Sequence, residues 1–185
     1  MTGFRALGEE IVHRGPVVTV YRGRFSGPDG EDFEREVVRH PGAVGVVPVL
    51  DDGVTALLVR QYRAALDTLV LEIPAGKLDV EGEAHEDTGR RELVEEIGYH
   101  PGRLEELCRF HNSPGFSDEL VVVYLALDLE QREAAPSGVE EEHMTTERVS
   151  LAEVDELVRS GRVTDAKTVI GLLLARDRLL GAPGR

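Results

Sequence analysis

The spacing of apolar and polar residues changes several times along the chain, and each change marks a predicted element. Residues 17–25 are rich in β-branched and aromatic side chains, a Gly-Pro-Asp-Gly turn follows, and residues 32–39 alternate polar with apolar. This pattern predicts an N-terminal β-hairpin. Extended segments of strand length, separated by turn residues, are then predicted at residues 43–50, 55–61, 69–73, 104–110, 120–127 and 148–150.

Helical spacing replaces strand spacing at residues 84–97. Leu93 and Ile97 lie on one stripe of this segment, and Gly98 follows as a C-terminal stop. Two more helices are predicted at residues 151–160 and 165–180, whereas the polar, acidic stretch before them is predicted to be an exposed loop. Strands interleaved with helices indicate the α/β class.

Composition narrows the possible functions. The 185 residues, of which 41% are hydrophobic, fit one compact domain, and 35 acidic against 21 basic residues argue against binding along nucleic acid or an anionic membrane. Cys108 is the only cysteine, which excludes an intrachain disulfide and is compatible with a reducing compartment. The N-terminal region has no signal-peptide pattern and no segment reaches membrane-spanning length, so we expect a cytoplasmic protein.

Much of the acidic surplus is concentrated just before and along the helix at residues 84–97. Glu92 and Glu96 are four residues apart, so their carboxylates project from one face, and Glu95 borders that face. Such a cluster needs solvation, a basic partner or cations, and Arg91 can pair with Glu95. Glu92 and Glu96 then remain as hard oxygen ligands suited to Mg²⁺ or Mn²⁺, with Glu83 nearby. The alternative is a solvated acidic helix face.

The segment GKLDVEGEAHEDTGRRELVEEIGY, residues 76–99, resembles the Nudix box. The matching positions are Gly76, Glu83, Arg91, Glu92, Leu93, Glu95, Glu96, Gly98 and Tyr99. One departure bears on the placement of Glu83, because six residues separate it from Gly76 where the usual pattern has five. An extra loop residue costs little and the helix register is intact, so we expect the metal site to be retained.

The resemblance implies a fold and a domain organisation. The expected fold is a Nudix α/β/α sandwich with a mixed sheet, preceded by a small N-terminal antiparallel β region. The N-terminal region would span residues 1–40 and contribute to dimerisation and substrate binding, and the Nudix hydrolase domain would span residues 41–181.

The resemblance also implies a divalent-metal-dependent hydrolase, with Mg²⁺ as the cofactor and Mn²⁺ as a substitute. Its expected metal ligands are Glu92, Glu96 and the backbone carbonyl of Ala75, with Glu83 completing the metal shell. Glu95 and Arg91 are the other expected catalytic-site residues: Glu95 orients the metal shell, and Arg91 holds the carboxylates in place.

Outside the box, RQYR at residues 60–63, LEIPAG at 71–76 and SPGFSDE at 113–119 resemble the ADP-ribose pyrophosphatase branch. This likeness implies hydrolysis of ADP-ribose to AMP and ribose 5-phosphate by a homodimer, and the acidic composition predicts no nucleic-acid or membrane partner. A hydrolase of another nucleoside diphosphate sugar or of a dinucleotide such as FAD or NADH is an alternative. A non-catalytic ADP-ribose sensor is a further one.

Four residues outside the box are expected to take part. Arg63 is predicted to contact phosphate or ribose, although it could be a surface arginine. Glu72 either accepts hydrogen bonds from the adenine or ribose or pairs with an arginine in the core. Glu119 either faces the substrate or merely begins a strand. Glu141, in the acidic run at residues 139–144, is the predicted catalytic base, with the glutamates on either side as competitors and a solvated loop as the alternative.

Overall fold

The computed structural model describes residues 3–136 and 138–181. The chain divides into two compact units. The first comprises Met1–Gly42 together with Phe110–Leu120, and the second comprises Ala43–Arg109 together with Val121–Arg185. No helix in the described part of the chain is both long enough and apolar enough to cross a membrane.

The first unit contains an antiparallel sheet of three strands in sequence order. These strands are β1 (Arg5–Arg14), β2 (Thr19–Ser26) and β3 (Asp32–Arg39). The predicted hairpin is confirmed as β2 and β3, but the sequence did not predict β1. All ten residues of β1 are exposed and its pairing with β2 has two register shifts. It therefore lacks the alternation of buried and exposed residues that marks a strand in a sequence.

The second unit contains a mixed four-stranded sheet in the order β7-β4-β9-β8. The strands are β4 (Ala43–Pro48), β7 (Ala75–Lys77), β8 (Tyr99–His111) and β9 (Leu120–Gln131). β4 runs parallel to β9 and antiparallel to β7, as the prediction of a mixed sheet required. A second, antiparallel sheet in the order β10-β5-β6 comprises β5 (Thr55–Arg63), β6 (Thr68–Glu72) and β10 (Thr145–Ser150).

The helices of the second unit are α1 (His85–Ile97), α2 (Val139–Glu142), α3 (Val154–Arg159) and α4 (Ala166–Leu180). α1 ends at Gly98, whose φ of 68° is the left-handed conformation that glycine adopts most easily. The helix predicted at residues 151–160 is instead a 3₁₀ turn, Leu151–Glu153, followed by α3. α2 is one short turn within the acidic stretch predicted to be a loop.

Consecutive residues of β4 pack against different helices, which gives the second unit its layers. A Cβ atom on Gly89 of α1 would lie 3.2 Å from Val46, and one on Gly171 of α4 would lie 2.9 Å from Val47. Neighbouring strand residues point to opposite faces of a sheet, so α1 and α4 cover opposite faces. This arrangement confirms the predicted α/β/α sandwich and places α1 with its acidic residues directly on β4 and β7.

Candidate active site

The guanidinium of Arg91 on α1 lies among three carboxylates. Its Nη1 is 2.9 Å from Oε1 of Glu92 and 2.9 Å from Oε2 of Glu95, and its Nε is 3.3 Å from Oε1 of Glu83. Thr88 donates a further hydrogen bond of 2.8 Å to Glu83. These bonds hold Glu83 beside the start of α1 despite the extra loop residue. The bonds from Arg91, and then that from Thr88, also lower the pKa of Glu83.

Glu92 and Glu96 lie one turn apart on α1, and their charges are only partly compensated. Burial raises the pKa of Glu92, although Arg91 opposes this shift. Burial and the charge of Glu92 raise the pKa of Glu96 to about 8. Glu96 accepts one hydrogen bond of 3.2 Å from the backbone N–H of Ala75. One of these carboxylates is buried and the other half-buried, and like charges one helical turn apart need a nearby cation if both are to be ionised at neutral pH.

Gly76 allows β7 to approach α1 more closely than any other residue type would. A Cβ atom at this position would lie 1.9 Å from Oε1 of Glu92 and 2.0 Å from its Cδ. The Glu92 carboxylate therefore lies directly against the β7 backbone, one residue from Ala75. The first glycine of the box is therefore needed for its lack of a side chain, and not for an unusual backbone conformation.

These donors fit a hard divalent cation in type and in charge. Carboxylate and backbone carbonyl oxygens are ligands that suit Mg²⁺. Burial and the charge of Glu92 raise the pKa of Glu96, and a bound cation would oppose that shift by stabilising the ionised carboxylate. Within residues 3–136 and 138–181, no three acidic, histidine or cysteine side chains converge at ligating distance. Glu83 and Glu95 form ion pairs with Arg91. The agreement between these residues and a divalent cation therefore rests on the chemical type of the donors and not on a completed coordination shell.

Arg63, at the end of β5, makes a bidentate ion pair with Glu72 on β6. Both bonds, from Nε and Nη2, are 2.7 Å long. The Arg63 side chain is 41% exposed, whereas that of Glu72 is 2% exposed. Burial alone would raise the pKa of Glu72, but the bonds from Arg63 and the charge of Lys167 lower it overall. Of the two roles predicted for Glu72, this structure contains the pairing with an arginine.

Lys167, in the first turn of α4, was not among the predicted site residues. It is buried and forms ion pairs with Glu72 and, at 3.1 Å, with Asp165. A sequence signal existed, because Lys167 is one of two lysines in the chain and stands at the start of a helix, where a positive charge is unfavourable.

Glu141 on α2 lies within electrostatic range of the box carboxylates. Its charge raises the pKa of both Glu92 and Glu96. Glu141 is half-buried, whereas Glu140 and Glu142 are exposed. The structure thus brings Glu141, rather than its neighbours, towards the carboxylates of α1.

Glu119 belongs to the first unit, where its side chain is held by neighbouring residues. Oε2 accepts a hydrogen bond of 2.9 Å from the Asn112 amide, and Oε1 is 3.6 Å from Nδ1 of His40. Its contact with substrate stays a prediction.

The family of the chain follows from the box and the sandwich, and comparison with known proteins agrees. Residues 39–170 match the model of the NUDIX domain. The chain belongs to the Nudix family, whose hydrolases are generally dependent on divalent metal ions, and it is a Nudix pyrophosphohydrolase.

Within that family, the chain is 39% identical to the ADP-ribose pyrophosphatase of Bacillus subtilis (strain 168), over 91% of this chain and 90% of the relative. It is 37% identical to the methanol dehydrogenase activator of Bacillus methanolicus, over the same shares of the two chains. A crystal structure of an ADP compounds hydrolase superposes with a TM-score of 0.83 at 27% identity, covering 96% of this chain and 95% of that one.

Proposed function

We propose that this protein hydrolyses the diphosphate bond of ADP-ribose to give AMP and ribose 5-phosphate, with Mg²⁺ as the metal and Mn²⁺ as a substitute. The observation that carries the proposal is the Glu92–Glu96 pair against the β7 backbone at Gly76. The choice of substrate is supported by the ADP-ribose pyrophosphatase relative, whose similarity extends over nearly the whole chain.

In this proposal Glu92, Glu96 and the carbonyl of Ala75 hold the metal, and Glu83 and Glu95 complete or orient its shell. A bound divalent ion neutralises diphosphate charge and lowers the pKa of a bound water. Arg91 orders the carboxylates, because its guanidinium contacts three of them.

Glu141 is proposed as the general base that accepts the proton of the attacking water. A base must lie within hydrogen-bonding reach of that water, directly or after loop closure. Its electrostatic influence on Glu92 and Glu96 and its partial burial support Glu141 over Glu140 and Glu142.

Arg63 is proposed to contact the substrate diphosphate. Its charge lowers the pKa of Glu96, so the guanidinium lies near the proposed metal site. The hydrogen bonds to Glu72 use Nε and Nη2, and within the described residues Nη1 has no protein acceptor. A guanidinium held in this way can offer its remaining N–H groups to phosphate oxygens.

We also propose a cytoplasmic homodimer assembled through the N-terminal strands. β1 is an edge strand of its sheet, and edge strands present unpaired backbone groups to a partner. It carries exposed apolar side chains, including Leu7, Ile11 and Val12. The single cysteine suits a reducing compartment. Light scattering of the intact chain tests the dimer, which a monomer at micromolar concentration would rule out.

The proposed activity is tested by incubating wild-type protein and Glu96→Gln with ADP-ribose, GDP-mannose, FAD and NADH, with and without Mg²⁺. Metal-dependent AMP release from ADP-ribose by the wild type, lost in Glu96→Gln, is the expected result. Faster cleavage of another conjugate would keep the chemistry and replace the substrate. Binding of ADP-ribose without turnover would favour the non-catalytic sensor.

The role of Glu141 is tested separately with Glu141→Gln, using Glu140→Gln as the matched control. Loss of a general base typically costs about 10²–10⁴-fold in turnover. Metal affinity should persist in Glu141→Gln, and the control should retain its turnover. An unaffected turnover in Glu141→Gln would remove this residue from the mechanism.

A further inference from the structure

Lys167 occupies a position that physical chemistry disfavours for a cation. Only 8% of the residue is exposed, and a buried charge is costly unless it is paired. It also lies in the first turn of α4, where the helix dipole disfavours positive charge. Glu72 and Asp165 together offset these costs.

The environment of Lys167 is fixed on the helix side. Asp165 caps α4 by accepting a 2.9 Å hydrogen bond from the N–H of Thr168 and a 2.6 Å bond from its hydroxyl. The same hydroxyl accepts a 2.9 Å hydrogen bond from the N–H of Ile73, the residue after Glu72. The start of α4 is thereby attached to the end of β6, and the ammonium group is held between Asp165 and Glu72.

On its other side, Lys167 determines the state of Glu72. Oε2 of Glu72 accepts hydrogen bonds from both Lys167 and Nη2 of Arg63, while Oε1 accepts from Nε of Arg63. A carboxylate bound by two cations cannot rotate without breaking bonds to both. The plane of the Glu72 carboxylate therefore fixes the plane of the Arg63 guanidinium, whose bidentate geometry requires the two groups to be coplanar.

We propose that Lys167 is a positioning residue for substrate binding, acting through Glu72 to hold the guanidinium of Arg63 towards the substrate diphosphate. This inference rests on the proposed function, in which Arg63 binds that diphosphate. Lys167 itself touches no substrate. Two other roles compete with this one: a purely structural link between α4 and β6, and a direct contact of Lys167 with the substrate.

Steady-state kinetics of Lys167→Met separate these roles. The matched control is Arg178→Met, which removes an exposed cation of the same helix that pairs with Glu105 at 3.2 Å. We expect KM for ADP-ribose to rise about tenfold to a hundredfold, as misplacement of a binding group does, with kcat within about threefold. The control should match wild type, and Lys167→Arg, which keeps the charge, should restore most of the affinity.

The route through Glu72 is tested by a double-mutant cycle. In a Glu72→Gln background, Lys167→Met should add little to the rise in KM, because the side chain at position 72 carries no charge for Lys167 to pair with. An equal rise in both backgrounds would mean that Lys167 acts directly on the substrate, and would overturn the proposal. A KM unchanged in folded Lys167→Met, with only the melting temperature lowered, would overturn it in favour of the structural link.

A spectroscopic readout keeps this inference separate from the proposed activity. The Nε–Hε resonance of Arg63, assigned with Arg63→Lys in ¹⁵N-labelled protein, should be protected from exchange in wild type and in Arg178→Met. It should lose protection in Lys167→Met, or in Lys167→Gln if the methionine variant fails to fold. Absence of wild-type turnover would refute the proposed function alone, whereas an unaltered Arg63 resonance would refute the positioning role.

Discussion

Replacing Gly76 by alanine is the sharpest test of the proposed site, because the atoms nearest to the added methyl group all belong to the Glu92 side chain. The built Cβ atom lies 1.9 Å from Oε1 of Glu92, 2.0 Å from Cδ and 2.4 Å from Cγ. Ordinary van der Waals contact begins at 3.4 Å, so the carboxylate must retreat by roughly 1.5 Å. Gly76 does not have a positive φ, so the alanine itself causes no backbone strain.

The size of the effect follows from what that movement breaks. The 2.9 Å bond between Arg91 and Glu92 is lost, and Glu92 leaves the position from which it would bind metal. Misplacement of a catalytic group by 1 Å can cost about a hundredfold in rate, so we expect kcat to fall about a hundredfold or more. Glu92 is flexible and can move away, so overpacking should cost only about 1–3 kcal/mol of folding free energy.

The assay is AMP release at saturating Mg²⁺, together with Mn²⁺ affinity by electron paramagnetic resonance and the melting temperature. Gly27→Ala is the control, because nothing lies closer than 3.5 Å to its built Cβ atom. Combining Gly76→Ala with Glu92→Asp shortens the obstructing side chain and should recover part of the lost stability. Wild-type kcat and Mn²⁺ affinity in Gly76→Ala would refute the close-approach argument.

Three further predictions concern the groups around the site. Thr168→Val leaves the buried N–H of Ile73 without its acceptor and should lower the free energy of unfolding by about 1–3 kcal/mol in urea titrations, whereas Thr168→Ser should not. Because the folded pKa of Glu72 is lowered, its stabilisation is present above about pH 4.3 and disappears as the pH falls through the folded value. The stability deficit of Glu72→Gln should therefore shrink below that pH, and a constant deficit would contradict this assignment. Arg91→Lys replaces a planar guanidinium, which contacts three carboxylates, by one ammonium group that cannot hold all three in the same geometry. We expect kcat to fall about tenfold or more, and an unchanged kcat would show that the contacts of Arg91 with three carboxylates are dispensable.

The layered domain could be predicted from sequence because its strands and helices bury one or both of their faces, and burial leaves a regular pattern of apolar residues. β4 and β9 are apolar runs buried in the sandwich, and α1 ends at a glycine that marks its boundary. β1 could not be predicted, since it is exposed along its whole length and leaves no burial pattern. α2 is too short to show helical periodicity, which needs about two turns to be recognised.

The placement of Glu92 and Glu96 on one face of α1 was predictable for a different reason, because a helix fixes the relative positions of side chains three and four residues apart. Lys167 and Glu72 are 95 residues apart in the chain, and no local spacing links them. Their contact depends on the attachment of α4 to β6 through Thr168 and Ile73. Such a pair can be found only when the tertiary structure is known.

The two arginines of the proposed site are suited to different tasks. Arg91 contacts three carboxylates and its side chain is 34% exposed, so its donors are used within the protein. Arg63 contacts one carboxylate, through one edge of its guanidinium, and its side chain is 41% exposed. A protein with a net charge of −14 must bind an anionic diphosphate through local cations. Arg63 can direct unused donors to a ligand, whereas Arg91 cannot do so without releasing the carboxylates that it orders.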